Sequence, residues 1–306
     1  MLVLICYLEN TSNGWIRMKF PTNKTVVTRI LLLNVFAQSA IIATGAIVRI
    51  TKSGLGCPTW PQCVGDSIVP LANQTESFHK YIEFGNRLLT FVVLFVAVLL
   101  VLTIWRNPAL KSLRFLSLAP ILGTLIQAIL GGITVLTGLH PATVSAHFLT
   151  SIVIVALSHT LLRRYKGLGS RAKRNGIANT LVAVSFITVV LGTLVTGSGP
   201  HSGDKDVSSR YEFDLTAIAN VHAKSVWIYS ALLIFLFYKQ YRTANKGSKR
   251  SFQVVAAVVV SQGLLGYYQF FQGVPEALVF AHIVGAIAFW IANLRLRYDL
   301  MQDQSV

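Results

Sequence analysis

The sequence is poor in charged residues, and acidic residues are the scarcest of them. Only 12% of its 306 residues are Asp, Glu, Lys or Arg, about half of the roughly 25% found in a soluble globular protein. The 11 acidic residues against 27 basic ones give a net charge of +16, but a soluble nucleic-acid-binding protein of that charge would carry far more polar surface. Three cysteines are too few for a disulfide-rich scaffold. These shortages exclude both classes.

Apolar residues are abundant, at 53% of the chain, which excludes intrinsic disorder. A helix needs about 20 mostly apolar residues to cross a bilayer. The sequence therefore predicts an all-α polytopic membrane protein, surrounded by a lipid bilayer. Its eight transmembrane helices are expected near residues 27–49, 84–105, 115–138, 142–163, 177–198, 217–238, 252–272 and 276–295.

Basic residues cluster in every second connection between these helices. The positive-inside rule places such connections in the cytoplasm, so the sequence predicts a multi-pass protein of the cell membrane with both termini cytoplasmic. We interpret the basic loops as topology signals and expect no nucleic-acid partner. The two largest groups are Arg163, Arg164, Lys166, Arg171, Lys173 and Arg174, and then Lys239, Arg242, Lys246, Lys249 and Arg250.

The chain contains an internal repeat. Gln127 and Gly131 in the third predicted helix match Gln262 and Gly266 in the seventh, and each Gln is followed twenty residues later by a His. Because each half holds an even number of helices, the halves are parallel repeats. The sequence thus predicts two pseudo-symmetric parallel four-helix bundles, at 27–165 and 177–297, with cytoplasmic segments at 1–26, 166–176 and 298–306. Met1 and Met18 both remain open as the start of the chain.

Four repeat-related positions share one depth near the outer ends of even-numbered helices. They are Asn86, His147, His222 and His282. Ionisable side chains within a membrane are costly and usually face the bundle interior. Bundle cores commonly hold cofactor sites, so His222 and His282 are candidate axial ligands of a haem iron. The alternative is that each histidine only packs between helices. Asn is a poor haem ligand, so the same reasoning predicts an open or weakly held iron position opposite His147.

Two further groups lie toward the predicted outer face. Glu83 stands one helical turn before Asn86 and is either a proton relay for the site or half of an interfacial ion pair with Arg87. Cys57 and Cys63 lie in the first outward loop, where nearby thiols form disulfides. That disulfide is either a structural staple or a reducible redox device.

These motifs together resemble the haem A synthase family. The stretch 44–63, which includes Arg49 and the segment Gly-Leu-Gly-Cys-Pro-Thr-Trp-Pro-Gln-Cys, is similar to the family's first-loop signature. Residues 82–87, which hold Glu83, Asn86 and Arg87, are similar to its motif in the second helix. The Gln-plus-Gly and Ala-His elements and the duplicated eight-helix plan extend the resemblance over nearly the whole chain.

The resemblance implies a function that composition does not show. Enzymes of this family oxidise the C8 methyl of haem O to a formyl group by successive hydroxylation, for terminal oxidase assembly. It implies a haem b held by His222 and His282, a substrate haem O held by His147, and Glu83, Asn86 and Arg87 at the catalytic site. The implied partners are haem O synthase, oxidase assembly factors and an unidentified electron carrier. Homo-oligomerisation stays open.

One residue departs from the family pattern. Many relatives have His where this chain has Asn86, so either His147 is the sole strong ligand or another residue completes the site. Two other functions also remain open. One is a di-haem b cytochrome that passes electrons from quinol without modifying haem, and the other is a cofactor-free transporter built on the repeat.

Overall fold

The computed structural model describes residues 7–10, 16–19, 23–167, 175–207 and 209–303. Within these ranges, eight helical segments are long and apolar enough to cross a membrane, so the predicted class of multi-pass helical membrane protein is confirmed. The order of elements is β1 Tyr7–Asn10, β2 Ile16–Lys19, α1 Lys24–Ile50, α2 His79–Trp105, a 3-10 turn Pro108–Leu113, α3 Arg114–Ser117, α4 Ala119–Leu136, α5 Pro141–Tyr165, α6 Gly176–Ser198, α7 Leu215–Gln240, α8 Lys246–Phe271 and α9 Glu276–Asp303.

The spanning helices agree with the predicted ones to within a few residues at most ends. The 3-10 turn, α3 and α4 together make the third span, Pro108–Leu136. The antiparallel pair β1–β2 precedes the spans and was not predicted. Helix α9 runs to Asp303, past the predicted limit at 297, and Tyr298 and Leu300 in this extension are buried. Part of the predicted 166–176 linker, residues 168–174, lies outside the described residues.

Short polar side chains begin several helices. Asn23, Asn175, Asp214 and Asn245 each accept a hydrogen bond from a backbone N–H in the first turn of α1, α6, α7 and α8. These residue types are preferred at this position because the first turn leaves its N–H groups without intrahelical partners. Helix α5 begins instead with Pro141 at its first position, where proline's missing N–H costs nothing.

The helices pair in the same order in the two halves. Helices α1 and α2, α4 and α5, and α1 and α5 pack together in the first half, and α6 and α7, α8 and α9, and α6 and α9 do so in the second. Helices α1, α5, α6 and α9 also meet across the halves, where Ile152, Ile287 and Trp290 are buried. A duplicated unit would produce this pairing, and the pseudo-symmetry itself stays a prediction.

The two ends of the bundle differ in packing. We call the end where α1 finishes and α2 begins the disulfide end, because the loop between them holds Cys57 and Cys63. The tightest apolar clusters lie toward the opposite end, around Leu31, Ile104 and Leu161 in the first half and Leu236 and Leu296 in the second. Close packing at that end leaves the less crowded disulfide end for polar groups.

Polar contacts join the halves at both ends. At the disulfide end, the N–H of Gly54 donates to the carbonyl of Gly203 at 2.8 Å, and Arg49 donates to the carbonyls of His201 and Thr196. At the opposite end, Arg163 of α5 forms an ion pair with Asp299 of α9. A charge within a bundle needs such a partner because lipid offers none.

We expect that Asp299→Ala destabilises the protein because it leaves the Arg163 guanidinium, only 11% exposed, without its counter-charge. Loss of one partner of a buried pair costs about 3 kcal/mol, which should lower the thermal unfolding midpoint by roughly 6 °C or more. The midpoint is measured in detergent. The matched control is Arg295→Ala, since Arg295 is 45% exposed and also faces Asp299, and exposed pairs contribute about 0.5 kcal/mol. Equal losses in both variants would contradict this ion pair's importance.

Candidate functional site

Three histidines occupy corresponding places in their helices at the disulfide end. His147, His222 and His282 each lie within the first eight residues of α5, α7 and α9, and Asn86 lies at the same level in α2. The depth predicted from the sequence is therefore reproduced along each helix.

The structure brings the rings of His222 and His282 together in an edge-on arrangement. Their ring centroids are 6.4 Å apart and their planes differ by 74°. A metal ion bound about 2 Å from one nitrogen of each ring would lie between rings whose centres are about 6 Å apart. Nδ1 of His222 lies 3.1 Å from the carbonyl oxygen of Thr188. Donation of the Nδ1 proton to this carbonyl leaves Nε2 free as a ligand, the usual arrangement of a metal-binding histidine.

A glycine on a neighbouring helix packs against each of the three histidines. An ideal Cβ placed on Gly131, Gly192 or Gly266 would lie 3.2–3.4 Å from the Cε1 atom of the facing ring of His147, His222 or His282, respectively. Larger side chains there would fill the space beside the imidazoles. The internal repeat matches Gly131 with Gly266 but indicates no role for either glycine. It does not include Gly192, because the spacing between Gly192 and its histidine is different.

Each half also has buried polar atoms without a hydrogen-bond partner among the described residues. Nδ1 of His147 and Oε1 of Gln127 are such atoms in the first half, and Nδ1 of His282 and Oε1 of Gln262 in the second. Gln127 donates through Nε2 to the carbonyl of His147 at 2.8 Å. Buried polar groups are normally satisfied, so the unpaired ones beside His147 and His282 are candidates for contact with a bound group.

The fit to an axially ligated metal group differs between the halves. In the second half, two facing imidazoles, their glycine neighbours and an unpaired Nδ1 fit a haem with two axial ligands. In the first half, His147 supplies one imidazole, but Asn86 Oδ1 lies 2.7 Å from the Thr44 hydroxyl of α1. Among the described residues Asn86 has no hydrogen bond to His147. The first half therefore offers one strong ligand.

Glu83 and Arg87 form an ion pair, which is one of the two alternatives that the sequence left open for Glu83. Nη2 of Arg87 lies 2.7 Å from Oε1 of Glu83. The same guanidinium donates to the carbonyls of Cys57, Thr59 and Gln62. The second carboxylate oxygen of Glu83 accepts the N–H of Cys57 at 2.7 Å. We call this arrangement the Glu83–Arg87 clamp, because it binds the disulfide loop 57–63 to α2.

The disulfide Cys57–Cys63 is present, and both cysteines are fully buried. Lys80 helps to cover it, since its ammonium group donates to the carbonyls of Leu71 and Ala72, and Gln74 donates to the carbonyl of Gly56 at 2.7 Å. Bulk reductant cannot reach such a bond without loop opening. The geometry therefore agrees with the structural alternative for this disulfide.

The remaining histidines have other contacts. His79 lies 2.9 Å from the Ser53 hydroxyl, His140 accepts from a backbone N–H at the start of α5, and Nε2 of His201 lies 2.7 Å from the carbonyl of Val274. His159 is buried toward the opposite end, beside Tyr298. Among the described residues, no group of three or more His, Cys, Asp or Glu side chains is arranged to hold a metal ion. A haem with two axial histidines needs only two such side chains, so this result does not bear on it.

Eight spanning helices with half-buried imidazoles between them are the features of a multi-pass membrane protein with a candidate site for an axially ligated metal group. The chain belongs to the COX15-CtaA family of cytochrome oxidase assembly proteins, whose model matches residues 28–201, more than half of the chain. The matched region contains Cys57, Cys63, Glu83, Asn86 and His147. The pair His222 and His282 lies beyond it.

Three of the named bacterial relatives match 41–58% of this chain. The heme A synthase of Bacillus pumilus is 30% identical over 128 residues, 41% of this chain and 40% of that protein. The heme A synthase of Alkalihalophilus pseudofirmus is 33% identical over 43% of this chain and 42% of its own length. That of Shewanella oneidensis is 29% identical over 58% of this chain and 57% of its own length. The chain thus matches about 40–60% of the length of these relatives.

The Glu83–Arg87 clamp predicts how fast the disulfide is reduced. Glu83→Ala and Arg87→Ala each remove charge-assisted hydrogen bonds to the loop, which contribute about 1.5–3 kcal/mol. We expect the disulfide to be reduced about tenfold faster or more in both variants. The measurement is mass spectrometry of alkylated protein after timed exposure to a phosphine reductant, in a Cys6→Ser background.

Glu83→Gln is the matched control for this experiment, because an amide oxygen still accepts the Cys57 N–H. Its reduction rate should lie between that of the wild type and that of Glu83→Ala. Wild-type rates in all three variants would show that the clamp does not hold the loop closed.

Proposed function

We propose that this chain is a haem A synthase that oxidises the C8 methyl of haem O to a formyl group by successive hydroxylation, with loss of water from the gem-diol. The observation that carries the proposal is the pair of neighbouring imidazoles of His222 and His282, whose ring centroids are 6.4 Å apart. They occur in a member of a cytochrome oxidase assembly family. The names of the bacterial relatives support the same activity.

In this proposal, His222 and His282 hold a haem b, which supplies one-electron transfer when bound. The protein's contribution is to place the two Nε2 atoms and to orient the rings. The carbonyl of Thr188 sets the tautomer of His222, and the glycines Gly192 and Gly266 leave room beside the rings. Two imidazole ligands would suit a haem that transfers electrons rather than one that carries out oxygen chemistry.

The substrate haem O belongs to the first half, with His147 as its ligand. Gln127 holds the carbonyl of His147 and the hydroxyl of Ser151, which fixes this turn of α5. Asn86 is engaged with Thr44 and is a poor iron ligand. We infer that His147 is the one strong ligand there among the described residues, and a haem held by a single imidazole would be open to the oxidation chemistry.

Glu83 has two roles open to it in this reaction. Its carboxylate holds the Cys57 N–H and the Arg87 guanidinium, which makes it a positioning residue for the disulfide loop. It is also a carboxylate one turn from Asn86, where it can relay a proton. Glu83→Gln separates the roles, because the amide keeps the acceptor for Cys57 but cannot take up a proton.

We also propose the orientation of the chain in the cell membrane. The basic loops favour cytoplasmic termini, which places the disulfide end and both haem sites toward the outer face. The fitting partners are haem O synthase as the source of substrate, oxidase assembly factors as acceptors of product, and an electron carrier that is not identified.

The activity is tested by haem extraction. We expect that a host co-expressing haem O synthase and this chain accumulates haem A, separated from haem O by reversed-phase chromatography and identified by mass. His147→Ala, which removes the only strong ligand in the first half, should abolish haem A. Haem O that persists unchanged beside folded wild-type protein with a bound haem b would favour the cytochrome alternative, and protein without Soret absorbance would contradict both.

The asymmetry of the two halves is tested by exchanging Asn and His at matched positions. We expect Asn86→His to supply a second imidazole and convert the first-half haem from high-spin to low-spin, measured by electron paramagnetic resonance. The reciprocal change, His222→Asn, should remove the low-spin signal of the second half because His282 stays as a single ligand. A wild-type first-half haem that is already low-spin would show that another residue completes the site.

A further inference from the structure

The disulfide loop reaches the first-half site through one side chain, Trp60. Its indole lies against Gly132 of α4, where an ideal Cβ would be 2.7 Å from Trp60 Cε2 and 2.8 Å from Cγ. These distances are shorter than any carbon–carbon contact at van der Waals separation. Only glycine at position 132 therefore lets the indole lie directly on the helix backbone.

The neighbouring residue of α4 contacts the histidine. Gly131 packs on Cε1 of His147, so Trp60 and His147 approach consecutive residues of one helix. Consecutive residues of a helix point about 100° apart, and the two rings therefore lie on adjoining faces of α4. The indole therefore lies one residue along α4 from the contact that His147 makes.

The second half lacks this arrangement. The residue after Gly266 is Tyr267, which has its hydroxyl 3.3 Å from Nε1 of Trp227 and is half exposed. A tyrosine at that position leaves no flat surface for an indole on α8. Among the described residues, the phenol ring that packs on a helix glycine in the second half is that of Tyr211 on Gly197 of α6, which is not a glycine that faces a histidine. An indole directly beside the glycine that faces the histidine is found in the half assigned to a substrate that must enter and leave.

The loop that carries Trp60 is held firmly on both sides of it. Arg87 donates to the carbonyl of Thr59, directly before Trp60, and to that of Gln62, two residues after it. The disulfide closes the same segment. Trp60 itself is 37% exposed, so one part of the indole packs on α4 while the rest faces outward from the loop.

We propose that Trp60 is a positioning residue that covers the His147 site and retains its haem, while the Glu83–Arg87 clamp and the disulfide hold the indole on Gly132. This inference rests on the proposed function, because it needs a haem at His147. A planar, apolar indole suits the edge of a porphyrin, which it shields from solvent and from exchange. Displacement of Trp60 opens the site without removing the iron ligand.

The test measures haem release in the full-length protein loaded with haem b as the probe. Haem is transferred to excess apomyoglobin, and the phase lost in His147→Ala is assigned to the first half. Trp60→Ala and Gly132→Ala should speed this phase about tenfold, since one aromatic contact contributes about that factor. Trp60→Phe should stay near the wild-type rate because it keeps a ring on Gly132.

The control for the glycine substitution is Gly263→Ala in α8, where an ideal Cβ has nothing within 4 Å. It should leave the rate unchanged. The slower phase from His222 and His282, with its low-spin spectrum, should be the same in every variant, which shows that the fold is intact. Gly132→Ala is informative because it alters neither the loop nor any polar group, so a faster phase there reports displacement of the indole.

The possible results distinguish failure of the covering role of Trp60 from failure of the proposed function. If the His147-dependent phase is present and equally slow in Trp60→Ala and Gly132→Ala, the covering role is overturned and the proposed ligand stands. If wild-type protein has no His147-dependent phase, the haem site of the first half is overturned, and the covering role fails with it. A faster phase in Trp60→Ala that Trp60→Phe restores supports the proposal.

Discussion

A polar group inside a bilayer finds no partner in the lipid, and this constraint organises the whole molecule. Arg163 meets Asp299 across the two halves, and Arg49 donates to two backbone carbonyls of the opposite half. These contacts join the four-helix units at both ends of the bundle. The buried imidazole and amide atoms near His147 and His282 lack such partners among the described residues, which makes them candidates for contact with a bound group.

The Glu83–Arg87 clamp applies the same constraint to a loop. Its guanidinium and carboxylate satisfy one another and also four backbone groups of the disulfide loop. In the proposed function, the residues expected at the catalytic site also hold the loop that carries Trp60. A substitution at Glu83 would then act on loop position and on proton transfer together, and a variant that keeps the hydrogen-bond acceptor would separate the two effects.

Much of the fold was predictable because each membrane span is a continuous run of mostly apolar residues. Runs of about 20 apolar residues predicted all eight spans, and the position of each residue near the outer start of an even-numbered helix predicted that His222 and His282 share a depth. The distance between their rings was not predictable, because it depends on how α7 and α9 pack. The role of Gly192 was not predictable for the same reason, because a glycine in an apolar helix gives no signal until the side chain that packs against it is known.

The sequence by itself determined the class of protein, the depth of the histidines and the resemblance to a haem-oxidising family, because these depend on local composition and spacing. Tertiary structure alone decided which groups meet. It placed Thr44 against Asn86, the second carboxylate oxygen of Glu83 on the N–H of Cys57, and Trp60 on Gly132. Each of these contacts joins segments far apart in the chain, and only the packing of helices and loop brings them within a few ångströms.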